Sequence, residues 1–81
     1  MSREELTRHI SINPQVCFGK PVVRGTRIWV ALVVNHLATG STVDDLLTEY
    51  PELTREDVAA CLAYAAEMVQ GNDFDVPLEA A

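Results

Sequence analysis

The chain has 81 residues, 48% of them hydrophobic, and a formal net charge of −6 at pH 7. This composition excludes a wholly disordered protein, and the length allows one small domain whose limited core favours support from a partner or a second copy. The charge is uneven: residues 1–30 carry five cations and two acids, whereas residues 31–81 carry one cation and ten acids. This polarity predicts that the two halves meet different partners, or each other across a dimer; a merely solvated charge pattern is the alternative.

The first residues predict a cytoplasmic location. Residues 1–5 are charged and have no apolar run behind them, which argues against a secretory signal. The longest apolar stretch, residues 28–34, is too short to cross a membrane. Cys17 and Cys61 lie far apart in no metal or redox spacing, so reduced thiols are expected.

The N-terminal part is predicted as a β arm or hairpin. Residues 9–13 alternate between apolar and polar side chains and predict a short strand. Residues 22–23 and 27–29 are further extended segments, and Gly25 between them permits the positive φ of a tight turn. Pro21 has no N–H for a strand ladder, which predicts an edge position.

Three helices with short connections are predicted after this arm. Apolar residues at helical spacing predict the first over residues 30–39. The second is capped by Ser41 or Thr42 and ends at Pro51. The third opens with a pattern like a capping box and covers about residues 54–70. The chain is therefore predicted to be mainly α.

The predicted third helix is apolar nearly all round, because Glu67 is the only charged residue between positions 58 and 69. Such a helix is normally buried all round, which so short a chain cannot achieve alone. We therefore predict a homodimer whose interface includes Ala59, Ala63, Ala66 and Met68. The alternative is that alanine, a good helix former, is simply tolerated at the surface.

Residues 1–71 are predicted to form the single domain, and residues 72–81 a C-terminal tail. In the tail, Phe74, Val76 and Leu78 alternate with acids. This pattern favours an extended segment that adds along a partner and becomes ordered on binding. A frayed terminus is the alternative.

The segment 19–27 is the strongest functional signal, since it places three cations, two glycines and a proline in an otherwise acidic chain. Lys20, Arg24 and Arg27 can hold a phosphate or carboxylate together with exposed backbone amides, and are candidate partner or anion contacts. The pattern is not a P-loop, because Pro21 follows the lysine.

A structural role is the alternative for the same cations. They would then pair with acids of the chain itself, such as Asp44 or Glu49, and fasten the arm to the helices.

No catalytic site is predicted. His9 and His36 are widely separated and lack ligand spacing with either cysteine. No arrangement typical of a Ser-His-acid triad or paired catalytic carboxylates is recognisable. The chain is therefore expected to be no enzyme and to need no metal or cofactor.

Several short motifs occur in a specific order across residues 8–70: Ile12-Asn-Pro14, Gly19-Lys-Pro21, Arg24-Gly-Thr-Arg27, Tyr50-Pro51, Leu53-Thr54 and Ala60–Ala65. Together they resemble the family called domain of unknown function 433, which consists of small prokaryotic proteins. The resemblance implies a homeodomain-like three-helix bundle and a role as a type II antitoxin similar to VapB, often encoded beside a PIN-like nuclease. The family usually has proline where this chain has Trp29, and tryptophan offers a large apolar contact there instead.

Two functions follow as hypotheses. In the first, the chain neutralises a PIN-like nuclease by covering its acidic cleft, with Arg24 or Arg27 paired to the metal-binding carboxylates. In the second, it is a helix-turn-helix regulator that binds operator DNA. The acids Glu56 and Asp57 at the start of the third helix would repel phosphates, so the basic N-terminal arm is the better candidate for that role.

Overall fold

The computed structural model describes residues 1–71, and the predicted tail contacts Phe74, Val76 and Leu78 lie outside them. The described part is mainly helical, with a small two-stranded antiparallel sheet. Its elements in chain order are α1 (Arg3–His9), β1 (Ile10–Ser11), a 3-10 turn (Cys17–Gly19), β2 (Val22–Val23), α2 (Val30–Ala38), α3 (Val43–Glu49) and α4 (Arg55–Val69). The mainly helical class is confirmed, with four α-helices in residues 1–71 where three were expected.

The additional helix is α1, and the predicted extended arm is wrong over these residues. The Ser2 Oγ atom accepts a hydrogen bond from the Glu5 backbone N–H at 3.2 Å, and Glu5 Oε1 accepts one from the Ser2 N–H at 3.1 Å. This capping box satisfies two N–H groups that a helix start otherwise leaves unpaired. Acids in the first turn, and Arg8 with His9 in the last, complement the helix dipole.

The short sheet confirms the extended segments predicted on either side of residues 12–21. Ile10 lies opposite Val23, and Ser11 lies opposite Val22. Trp29 forms a further antiparallel bridge to Val22. The turn between β2 and Trp29 contains Gly25 at φ +83°, the left-handed conformation that favours glycine.

The three predicted helices correspond to α2, α3 and α4. At the start of α3, Thr42 Oγ1 accepts a hydrogen bond from the Asp45 N–H at 3.0 Å, and Asp45 Oδ2 accepts one from the Thr42 N–H at 2.9 Å. The hydrogen bond from the Thr42 backbone N–H, and secondly the Thr42 hydroxyl, lower the pKa of the Asp45 carboxyl below its usual value. Thr54 and Asp57 form the same arrangement at the start of α4.

The hydrophobic core draws on all four helices and both strands. The largest of its fully buried side chains are those of Leu46, Val23, Val33, Val58 and Cys61. Helix α4 is central to the packing, since α1, α2 and α3 all contact it. Within residues 1–71, no helix has the length and apolar character needed to cross a lipid bilayer.

Burial of Cys61 gives a first testable consequence. Burial, reinforced by the nearby charge of Asp57, raises the pKa of Cys61 from 9.0 to about 12. Above pH 9.0 the thiol therefore ionises in the unfolded chain before it ionises in the folded one. The stability that this group contributes is fully present below the unfolded pKa and is lost as pH rises toward the folded pKa.

We expect iodoacetamide at about pH 8 to modify the half-buried Cys17 in the native protein and to reach Cys61 only after urea unfolding. Peptide masses measure both reactions. Urea titrations at several alkaline pH values measure the free energy of unfolding. With rising pH this free energy should fall less in Cys61→Ala than in the wild type, because the other groups titrate alike in both proteins. Equal native labelling of the two thiols would contradict this result.

Candidate functional site

Residues 16–29, called the basic loop below, connect the first strand region to α2. The loop is anchored to the start of α2 through backbone bonds: the Val30 N–H donates to the Pro21 carbonyl at 3.0 Å, and the Val23 N–H donates to the Ile28 carbonyl at 2.9 Å. The Thr26 hydroxyl closes the turn by donating to the Val23 carbonyl at 2.8 Å and accepting from the Ile28 N–H at 2.9 Å. The ends of the loop are therefore fixed by hydrogen bonds within the chain.

Arg24 fastens this loop to α1. Its backbone N–H donates to the His9 carbonyl at 2.7 Å, while its guanidinium donates to the carbonyls of Thr7 at 3.0 Å and Ile10 at 3.1 Å. The last carbonyls of a helix have no intrahelical donor and carry partial negative charge, so a cation at this place stabilises the helix end. The pairing expected with Asp44 or Glu49 is replaced by bonds to backbone carbonyls.

Lys20 and Arg27 differ from Arg24 because both side chains are exposed and form neither a hydrogen bond nor an ion pair with residues 1–71. Arg27 borders a shallow depression that Glu52 also lines, without an ion pair between them. Asp44 is occupied by Arg55. The basic loop thus presents two cations that no acid of the described chain neutralises.

Trp29 stands at the end of the basic loop, immediately before α2. Its side chain remains 39% exposed. Its backbone φ of −70° is close to the value that proline would fix, so tryptophan occupies the helix entry with similar backbone geometry. The partly exposed ring adds apolar surface to the loop that carries the two cations.

The titratable side chains elsewhere have packing roles. His9 Nδ1 lies 2.8 Å from Asp57 Oδ1, in a partly buried contact that joins α1 to the start of α4. The ring of His36 meets the edge of Tyr50 with centroids 5.9 Å apart. Across residues 1–71, no three His, Cys, Asp or Glu side chains are grouped to hold a metal ion.

The residues predicted for a dimer interface divide into two sets. Ala59 and Ala66 are exposed, whereas Ala63 and Met68 are half-buried. Met68 lines an apolar groove between α4 and α1. Leu62, at 45% exposed, and Val69, at 84%, share the outer face of α4 with the two exposed alanines. This outer face is apolar and has no cover within the described chain.

Sequence reasoning missed Phe18, which is 94% exposed in the basic loop. An isolated aromatic residue before a glycine carries no signal of its orientation. It also missed the bonds of Arg24 and the contact between His9 and Asp57, because both join residues that are distant along the chain.

Comparisons with known proteins agree with the motif order. The family model described as protein of unknown function, DUF433, matches residues 10–65. An uncharacterized protein, y4eO, from Sinorhizobium fredii (strain NBRC 101917 / NGR234) is 36% identical over 56 residues; the match covers 69% of this chain and 25% of that protein. The chain thus spans a quarter of that curated relative.

A solved structure is similar over a larger share of the fold. The crystal structure of a DUF433 member from Anabaena variabilis ATCC 29413 matches with a TM-score of 0.74 and 36% sequence identity. The match covers 86% of this chain and 69% of that one.

Proposed function

Because the chain belongs to the DUF433 family of proteins of unknown function, we propose its role from the basic loop: it is the antitoxin of a VapB-like toxin–antitoxin pair and neutralises a PIN-like nuclease by direct contact. The observation that carries this proposal is the pair of exposed cations, Lys20 and Arg27, that have no acidic partner in residues 1–71. In a chain with a net charge of −6, this pair forms a local positive surface.

The chemistry of the proposed partner fits this surface. A PIN-like nuclease gathers carboxylates around its metal site, and a guanidinium can bind a carboxylate through two parallel hydrogen bonds. Arg27 is the better candidate for that pairing, because the guanidinium of Arg24 already donates to the end of α1. Burying a loop over the acidic cleft would also exclude the nucleic-acid substrate.

We also propose that α2, α3 and α4 form a homeodomain-like three-helix bundle. These three helices contact one another and are joined by short connections, and α1 packs against α4.

Co-expression with the nuclease encoded beside this chain tests the proposed function. We expect the two proteins to co-purify and the nuclease to lose activity on a nucleic-acid substrate in proportion to the chain added. Separate elution, together with undiminished cleavage at a molar excess of the chain, would refute the antitoxin role.

The outer face of α4 supports the homodimer that the sequence predicts. Sedimentation velocity at micromolar concentration should give a species of twice 8.9 kDa. Leu62→Glu should convert it to a folded monomer, because a charge in an apolar contact is strongly unfavourable. Ala31→Glu, at an exposed position of α2, is the matched control and should leave the dimer intact. A wild-type monomer that melts cooperatively would exclude the dimer.

The second hypothesis is an operator-binding regulator that acts through the basic N-terminal residues, duplicated in a dimer: Arg3, Arg8, Lys20, Arg24 and Arg27. The charges at the start of α4 disfavour that helix as the DNA-contacting element. Arg55 pairs with Asp44, Asp57 caps the helix and contacts His9, and Glu56 is exposed. A gel shift on the chain's own promoter, with and without the nuclease, distinguishes the two roles, since DNA binding should weaken steeply with salt.

A further inference from the structure

Phe18 combines two unfavourable features that the fold does not require of an aromatic residue. It is the most exposed of the large hydrophobic side chains in residues 1–71, at 94%. Its backbone also has a left-handed conformation, with φ +59°, directly after Cys17 at φ +50°. A ring in this position contributes almost nothing to the core.

The left-handed region is sterically unfavourable for residues that carry a Cβ atom. Two such residues in succession are held by backbone bonds, from the Gly19 N–H to the Val16 carbonyl and from the Lys20 N–H to the Cys17 carbonyl, each 3.1 Å long. Asparagine or glycine would adopt this turn with less strain. The turn therefore projects an aromatic ring into solvent at a position where folding alone favours a different residue.

The surroundings of Phe18 indicate what such a ring contacts. Cys17 Sγ lies 3.8 Å from the Arg27 carbonyl oxygen, which brings the turn against the segment that carries Arg27. Phe18 thus lies in the same loop as the two cations without acidic partners, with Lys20 two residues along the chain and Trp29 beyond Arg27.

We infer that Phe18 is the apolar anchor of the nuclease interface: its ring inserts into an apolar pocket of the partner, while Lys20 and Arg27 meet carboxylates of the acidic cleft beside that pocket. This inference rests on the proposed function and adds to it the residue and the pocket chemistry. Aromatic side chains that enter a desolvated pocket dominate many protein interfaces, with a surrounding ring of polar contacts that excludes water. The strained turn presents the ring before the partner arrives, so less ordering is needed on binding.

The test compares Phe18→Asn with the wild-type chain, because asparagine tolerates the left-handed conformation and removes the ring. Isothermal titration against the nuclease encoded beside this chain should show a loss of affinity of about 30-fold or more, the scale of an interface hot spot. The Tm of the free variant should be unchanged or higher. Ile12→Thr, at another exposed apolar position, is the matched control and should bind like the wild type.

Each result decides between alternatives. A clearly lower Tm for Phe18→Asn would assign Phe18 to folding and overturn the anchor, and so would wild-type affinity of a stably folded variant. Absence of any complex between the nuclease and the wild-type chain would remove the proposed function and the anchor together. If Phe18→Asn weakens binding of the promoter DNA but not of the nuclease, the ring stacks on a base instead, and the protein anchor is excluded.

Discussion

Arg27→Glu is expected to weaken binding to the proposed nuclease partner by about 100-fold or more, because removing one partner of a buried charge pair at an interface costs about 2–5 kcal/mol, and the reversed charge adds repulsion. The free protein should keep its Tm, since the Arg27 side chain makes no hydrogen bond or ion pair with residues 1–71. Titration calorimetry measures the affinity and differential scanning calorimetry the Tm.

Two variants of the same charge change make this result specific. Arg8→Glu alters an exposed arginine of α1 outside the basic loop and should reduce affinity only slightly, through the general field. Arg24→Glu should weaken binding for a different reason, because it destabilises the fold: it removes two bonds to the end of α1 and places a negative charge among carbonyl oxygens. Equal affinity losses for Arg8→Glu and Arg27→Glu, with both proteins folded, would show that only net charge matters.

Asp57→Ala should produce the largest loss of stability among the polar residues discussed, about 3 kcal/mol. One carboxylate oxygen, Oδ2, accepts the Thr54 N–H at 3.0 Å in the capping box of α4, and the other, Oδ1, lies 2.8 Å from His9 Nδ1. The substitution therefore removes one of the two hydrogen bonds of the capping box and leaves a partly buried imidazole without its partner. Urea unfolding followed by circular dichroism measures the change in the free energy of unfolding.

Asp45→Ala provides the matched control, because Asp45 occupies the same capping-box position in α3 but has no histidine partner. We expect it to lose about 1 kcal/mol, the usual value of a cap. The difference between the two variants then isolates the contact with His9, and a cycle with His9→Ala measures the coupling directly. Equal losses for Asp45→Ala and Asp57→Ala would mean that the contact with His9 adds nothing.

Local patterns in the sequence predicted much of the helical fold. Thr42 and Thr54 each form a capping box with an aspartate only three residues later, so both helix starts can be predicted from the sequence alone. The same signal was present at Ser2 and Glu5, where the charged composition obscured a helix of only seven residues. Short helices have little periodicity to recognise, and packing against the rest of the chain stabilises them.

The candidate site was less predictable, because the roles of its residues depend on distant contacts. Arg24 and Arg27 are chemically identical and three positions apart, yet one side chain lies on the carbonyls of α1 and the other faces solvent. The different directions of the two side chains depend on the register of the hairpin, and that register arises from pairing across the strands. Phe18 depends on a left-handed turn that an aromatic residue does not predict.

The bonds from Arg24 to α1 bear on the speed of recognition. A segment that must order itself on encounter delays productive collisions, whereas one already fastened to a helix end can dock on contact. In the proposed complex with the nuclease, uncharged substitutions at the contact surface should therefore change the lifetime of the complex far more than the rate at which it forms.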